Sequence, residues 1–158
     1  MGLSVRVYQN LEFISEEELD EYDVRVFVPE GGFENRIKYL PEGFYKGKKV
    51  FNGVDYGYSS HGIFRQELAY NFINKNIIGE GGKIIWEKLK EGMPFYELIW
   101  FSDCEGCIDH VTSRKLYKDF SSTLNRARLV LKEYSFDNYL LWLNSFKQGM
   151  INGVVVFG

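Results

Sequence analysis

A chain of 158 residues, 45% hydrophobic and 26% charged, has enough apolar side chains for one core, which excludes a disordered protein and makes 1–158 a single domain. Its formal net charge of −3 excludes a protein that holds duplex nucleic acid mainly through phosphate contacts. No apolar run reaches membrane length, no basic leader precedes an apolar stretch, and Arg6 stands where a myristoylation signal needs Ser or Thr, so a cytoplasmic protein with no membrane partner is expected.

In chain order, Leu3, Val5 and Val7 alternate with Ser4, Arg6 and Tyr8, the period of a half-buried strand. Ser15 and Glu18 fit a capping box ahead of one or two surface helical turns. Val24, Val26 and Val28 alternate with Arg25 and Phe27, and a second β-like run covers 33–40 after Gly31-Gly32, so the two are expected as hairpin neighbours. A further β run covers 48–58, with Asn52-Gly53 as a two-residue turn inside it. At Ser59-Ser60 the period changes: Phe64, Leu68 and Phe72 fall four apart, which predicts a serine-capped helix over 60–74. After the Gly79–Gly82 loop, Ile85-Trp86 opens a short amphipathic turn, and the aromatic run 95–101 reads as an interior strand. Asp109 caps a helix over 110–132 marked by Leu116, Phe120, Leu124 and Leu131. Asp137 caps another over 137–151 with Leu140, Leu143, Phe146 and Met150 inward, and Val154–Phe157 is a buried closing strand. The fold class is therefore α+β: a mostly antiparallel sheet from N-terminal strands plus a central and a C-terminal strand, packed against about three helices.

Two segments carry candidate chemistry. Tyr58, Ser59, Ser60, His61 and Arg65 bring hydroxyls, an imidazole and a guanidinium to a helix start, a set that suits a phosphate or carboxylate; alternatively Ser60 caps the helix and Arg65 pairs with an acid. Asp103 and Glu105 suggest a divalent metal or an acid–base pair, or else they complement a helix dipole, while Gly106 permits a backbone angle that other residues resist. Cys104, Cys107 and His110 have zinc-compatible spacing, with His61 as a fourth ligand, but a second close ligand pair is missing and the thiols read as reduced packing residues. Gly79-Glu80-Gly81-Gly82 lacks the Lys-Ser/Thr of a phosphate loop, no catalytic triad can be assembled, and no cofactor is expected. With 17% aromatic residues, some rings must reach the surface, where they suit flat ligands or protein partners.

The segments Tyr58-Ser59-Ser60-His61-x-x-Phe64-Arg65-x-x-Leu68, Phe101-x-Asp103-x-Glu105-Gly106, Leu116-x-x-Asp119-Phe120 and Asn152–Phe157 together resemble a family of small uncharacterised proteins of bacteria and their phages. The resemblance covers most of the chain, and it rests on Ser59, Arg65, Asp103, Glu105 and Gly106 rather than on Cys104, Cys107 or His110. It implies a phage or prophage origin and brings no activity with it. The expected function is a non-catalytic binding protein, in monomeric or homo-oligomeric form. It would capture a small anionic or nucleotide-like ligand, a host-defence signal among them, or a host protein, through Tyr58, Ser59, Ser60, His61 and Arg65 beside Asp103 and Glu105. One alternative is a metal-dependent hydrolase of a phosphorylated or nucleotide substrate with Asp103 and Glu105 as its catalytic pair. Another is a structural or protein-interaction module in which those carboxylates meet Arg65.

Overall fold

A computed structural model describes residues 2–21, 23–31 and 36–158. Its fold is α+β. Five strands, β1 (Gly2–Ile14), β2 (Val24–Val26), β3 (Gly43–Gly57), β4 (Gly106–Asp109) and β5 (Val154–Phe157), form one antiparallel sheet in the order β2-β3-β1-β5-β4. β1 lies in the middle, pairing β3 on one side and β5 on the other, and Ser4 and Gly158 exchange both main-chain hydrogen bonds at 2.8 and 2.9 Å. Leu3, Val5 and Val7 point into the core as their alternation predicts.

One face of the sheet is covered by helices α1 (Tyr58–Leu68, prolonged to Ile73 by a wide turn), α2 (Tyr96–Ile99), α3 (His110–Ser122), α4 (Leu124–Val130) and α5 (Glu133–Gly149). Between these layers Phe120 packs on Phe95, Tyr139 and Phe146, with ring centroids 4.6, 4.8 and 5.8 Å apart. A smaller cluster of Val24, Val26, Ile37, Tyr45, Cys107 and Val154 forms a second core. There the Cys107 thiol donates to the Arg25 carbonyl at 3.5 Å, so the sheet curls far enough for its edge strands β4 and β2 to meet. Among the described residues no helix is long and apolar enough to cross a membrane.

Several expected elements change. Asn52-Gly53 is no turn: it lies inside β3, where Ser4 faces Asp55 but Arg6 faces Asn52, the extra residue of a bulge. Gly53 is small because α5 passes over it, and a Cβ there would come within 2.5 Å of Ser145 Oγ. Of the run 33–40, residues 33–35 lie outside the described residues, and 36–40 form no strand. The run 95–101 is not a strand but carries the single turn α2, entered through Phe95 at a left-handed φ of 63° whose N–H donates to the Asp119 carboxylate at 3.0 Å. The strand expected in the middle of the chain is instead β4, inside the cysteine segment and at an edge of the sheet.

The helix over 110–132 breaks at Thr123, whose hydroxyl bonds the Asp119 carbonyl at 2.8 Å and ends the α3 ladder. Helix α5 starts at Glu133 after Lys132, leaving Asp137 exposed within it, and its buried stripe runs through Tyr139, Trp142, Phe146 and Gly149, with Leu140, Leu143 and Met150 half-buried beside it. Helix α1 starts directly from β3 after Gly57, so Ser59 and Ser60 lie in its first turn and cap nothing. The Ser15 turn has the expected closure: the Glu18 carboxylate accepts from the Ser15 N–H and hydroxyl at 3.4 and 3.0 Å.

Candidate functional site

Helix α1 is fixed by a buried polar chain. Trp142 Nε1 donates to the Tyr56 hydroxyl at 3.0 Å, and that hydroxyl lies 2.7 Å from His61 Nδ1. With its oxygen already accepting from the indole, Tyr56 gives its own proton to Nδ1, which leaves His61 protonated on Nε2, where no partner exists among the described residues. His61 is 0% exposed, and burial, aided by the charge of Arg65, pushes its pKa down to about 3. Burial likewise raises that of Tyr56. An imidazole so enclosed stays neutral and cannot reach a ligand, which removes His61 from both the anion-binding and the zinc sets.

Four residues later, Arg65 emerges from the same helix. Its Nη1 donates to the carbonyls of Ile99 and Phe101 at 3.3 and 3.2 Å. Its Nε is buried without a partner, and Nη2 makes no hydrogen bond among the described residues. Burial lowers its pKa, while the charge of Asp103 acts in the opposite direction. Arg65 forms no salt bridge with Asp103 or Glu105, so the expected tie between the two segments runs to main-chain oxygens instead. Arg36, 2% exposed, completes that tie by donating to the carbonyls of Glu97 and Trp100 at 3.1 and 2.6 Å.

Residues 102–105 form a turn: the Ser102 hydroxyl accepts from the N–H groups of Cys104 and Glu105 at 3.3 and 3.1 Å. Asp103 is half-buried there, and Cys104 and Glu105 are exposed. Gly106 follows with φ 111°, and a Cβ on it would come within 2.9 Å of both Phe101 and Pro29, so it answers a steric and a conformational demand together. Burial raises the Cys107 pKa to about 11, an unreactive thiol. Asp109, fully buried, caps α3 as expected, accepting on Oδ1 from Val111 and Thr112 at 3.1 and 3.3 Å, while Oδ2 accepts from Lys38 and Tyr39 at 2.6 and 2.8 Å. The zinc set is not assembled: His61 lies in the core, Cys107 faces Arg25, and the His110 ring lies tilted toward Tyr39 with centroids 6.4 Å apart. No group of three or more His, Cys, Asp or Glu among the described residues is placed to share a metal.

The opening beside Arg65 lies elsewhere than the sequence suggests. A cavity of about 310 Å³ is lined by Gly62, Arg65, Gln66, Lys83, Ile84 and Trp86. Ser59 and Ser60 are not among its lining residues, and Tyr58 packs partly buried against the core. The far wall is built by a tight loop in which Gly81 and Gly82 take positive φ and Gly79 N–H bonds the Lys83 carbonyl at 2.7 Å; Ile85 N–H then bonds the Ile77 carbonyl at 2.7 Å. Trp86 packs on Trp100 with centroids 5.1 Å apart. It also lines a second, smaller cavity of about 180 Å³ with Leu89, Tyr96 and Trp100. Of this set sequence reasoning finds only Arg65; the available signal for the rest is a tryptophan in a short segment bounded by glycines. A larger hollow of about 520 Å³ on the sheet is lined by Arg6, Lys49, Glu21 and Asp23 with Tyr8 and Gly47. Its balanced charges offer less to a charged ligand.

No protein-family model, curated protein or solved structure compared with this chain matches it.

Proposed function

We propose that the protein is a non-catalytic binding protein that captures a small anion in the cleft between α1 and the 83–86 segment. The observation that carries this reading is one cavity, about 310 Å³, that has Arg65, Lys83 and Gln66 on its walls. Neither cation is in a salt bridge among the described residues. Arg65 is held by its bonds to Ile99 and Phe101, so little side-chain freedom remains to be lost when a ligand arrives. Together the walls supply donors, positive charge and an apolar face, the chemistry of holding a ligand.

Titration of the isotope-labelled protein with ribose 5-phosphate, followed by amide chemical shifts, tests the reading. Shifts are expected at Gly62, Gln66, Lys83 and Ile84, and they should disappear in Lys83→Glu. No response in the cleft at millimolar phosphate ester would sink it. A second reading, in which Arg65 serves only as an anchor for the residues after α2, is favoured by those two carbonyl bonds, and it predicts that silent result.

A further inference from the structure

We infer that the anion bears a planar ring and that the ligand class is a nucleoside monophosphate, its base against Trp86 and its phosphate at Arg65 and Lys83. The inference rests on the anion-binding reading above and adds the ring. Trp86 is on the wall of the cation-lined cavity and also of a smaller one completed by Leu89, Tyr96 and Trp100. The smaller cavity of about 180 Å³ is below the usual size of a ligand site, roughly 300–1,000 Å³. The cation-lined cavity, about 310 Å³, falls within that range by itself and has Trp86 on its own wall.

Trp86 is 45% exposed, although its tilted contact with Trp100 at 5.1 Å and 58° holds it in place. A partly exposed indole held by a second ring offers a surface on which a base can stack. Leu89 and Tyr96, each 7% exposed, complete the lining of the smaller cavity on the other side of this pair. The charge count selects the phosphate state. Two cations match the dianion of a monophosphate, whereas a triphosphate would bring about twice that charge.

Isothermal titration of the full chain with AMP, GMP, CMP, UMP, adenosine and ribose 5-phosphate decides the matter. At least one nucleotide should bind tenfold or more tightly than ribose 5-phosphate, the size of effect that base stacking produces, and should quench tryptophan fluorescence. Trp86→Ala should erase the difference, so that this nucleotide and ribose 5-phosphate bind within twofold of each other. Lys83→Gln, at an exposed side chain, should weaken both by the same factor and serves as a second variant independent of the tryptophan. Ribose 5-phosphate binding as tightly as every nucleotide overturns the ring and leaves the anion reading standing. Failure of ribose 5-phosphate and all four nucleotides to bind overturns both.

Discussion

Arg65 Nη1 donates to the main-chain oxygen of Phe101 at 3.2 Å, across the gap between α1 and the residues that follow α2. The same nitrogen holds the Ile99 oxygen, and Arg36 holds those of Glu97 and Trp100. A one-turn helix cannot stabilise itself, and its C-terminal carbonyls carry partial negative charge, so two guanidiniums do what further turns would otherwise do. Arg65→Gln is expected to speed amide exchange at 101–104 by tenfold or more and to lower global stability by about 1–3 kcal/mol. Unchanged exchange there would show that the two bonds do not hold the segment.

Acid should destabilise the protein through His61. Its pKa is about 3 in the folded chain against 6.5 ordinarily, so below pH 6.5 the unfolded chain takes up a proton that the folded one refuses. The stabilisation is complete above that pH and falls as pH drops toward 3, by at most about 1.4 kcal/mol per pH unit. Urea midpoints measured between pH 7 and 5 should decline, and in His61→Gln the slope should flatten while stability at pH 7 drops by about 1–2 kcal/mol through the broken bond to Tyr56. Equal slopes in the two proteins would contradict the assignment.

Gly106→Ala should cost about 2–4 kcal/mol, since the new methyl group meets Phe101 and Pro29 at 2.9 Å and the backbone has φ 111°. Calorimetric melting of the two proteins measures it. A loss under about 0.5 kcal/mol would mean that the corner relaxes freely.

Asp109 ties α3 to the 36–40 segment through four amide donors. Asp109→Ala is expected to cost about 2–4 kcal/mol, from the lost cap and from the amides left without an acceptor. Amide exchange should rise at Lys38 and Tyr39 as well as at Val111 and Thr112. A rise confined to the helix would reduce Asp109 to an ordinary cap.

What could be read in the chain is what burial of one face imprints on it. Leu3-Val5-Val7, Phe64-Leu68 and Leu116-Phe120 carry their periods openly, and Asp109 announces its helix, so sheet, helices and class follow from local pattern. The 95–101 run carries no such mark, because a short apolar stretch fits a buried strand and a buried turn equally well. The turn is decided by Asp119, Arg36 and Arg65, partners distant in the chain. Asn52-Gly53 has the chemistry of a turn, but the glycine answers to Ser145 passing over it. For the cleft, Arg65 can be picked out as a helix-borne donor, whereas its meeting with Lys83 and Trp86 depends on how the Gly79–Gly82 loop folds back.

The placement of β1 between β3 and β5 has a consequence for how the protein is made. Val5 pairs with Phe157, and β4 joins the sheet only through β5. β1 thus keeps one side bare until β5, distant in the chain, arrives, and a contact of such sequence separation closes slowly. Until it closes, the sheet is split along its middle and β1 presents an unpaired edge, the kind that invites association. The cleft beside α1 rests on a scaffold that locks only when β5 pairs with β1.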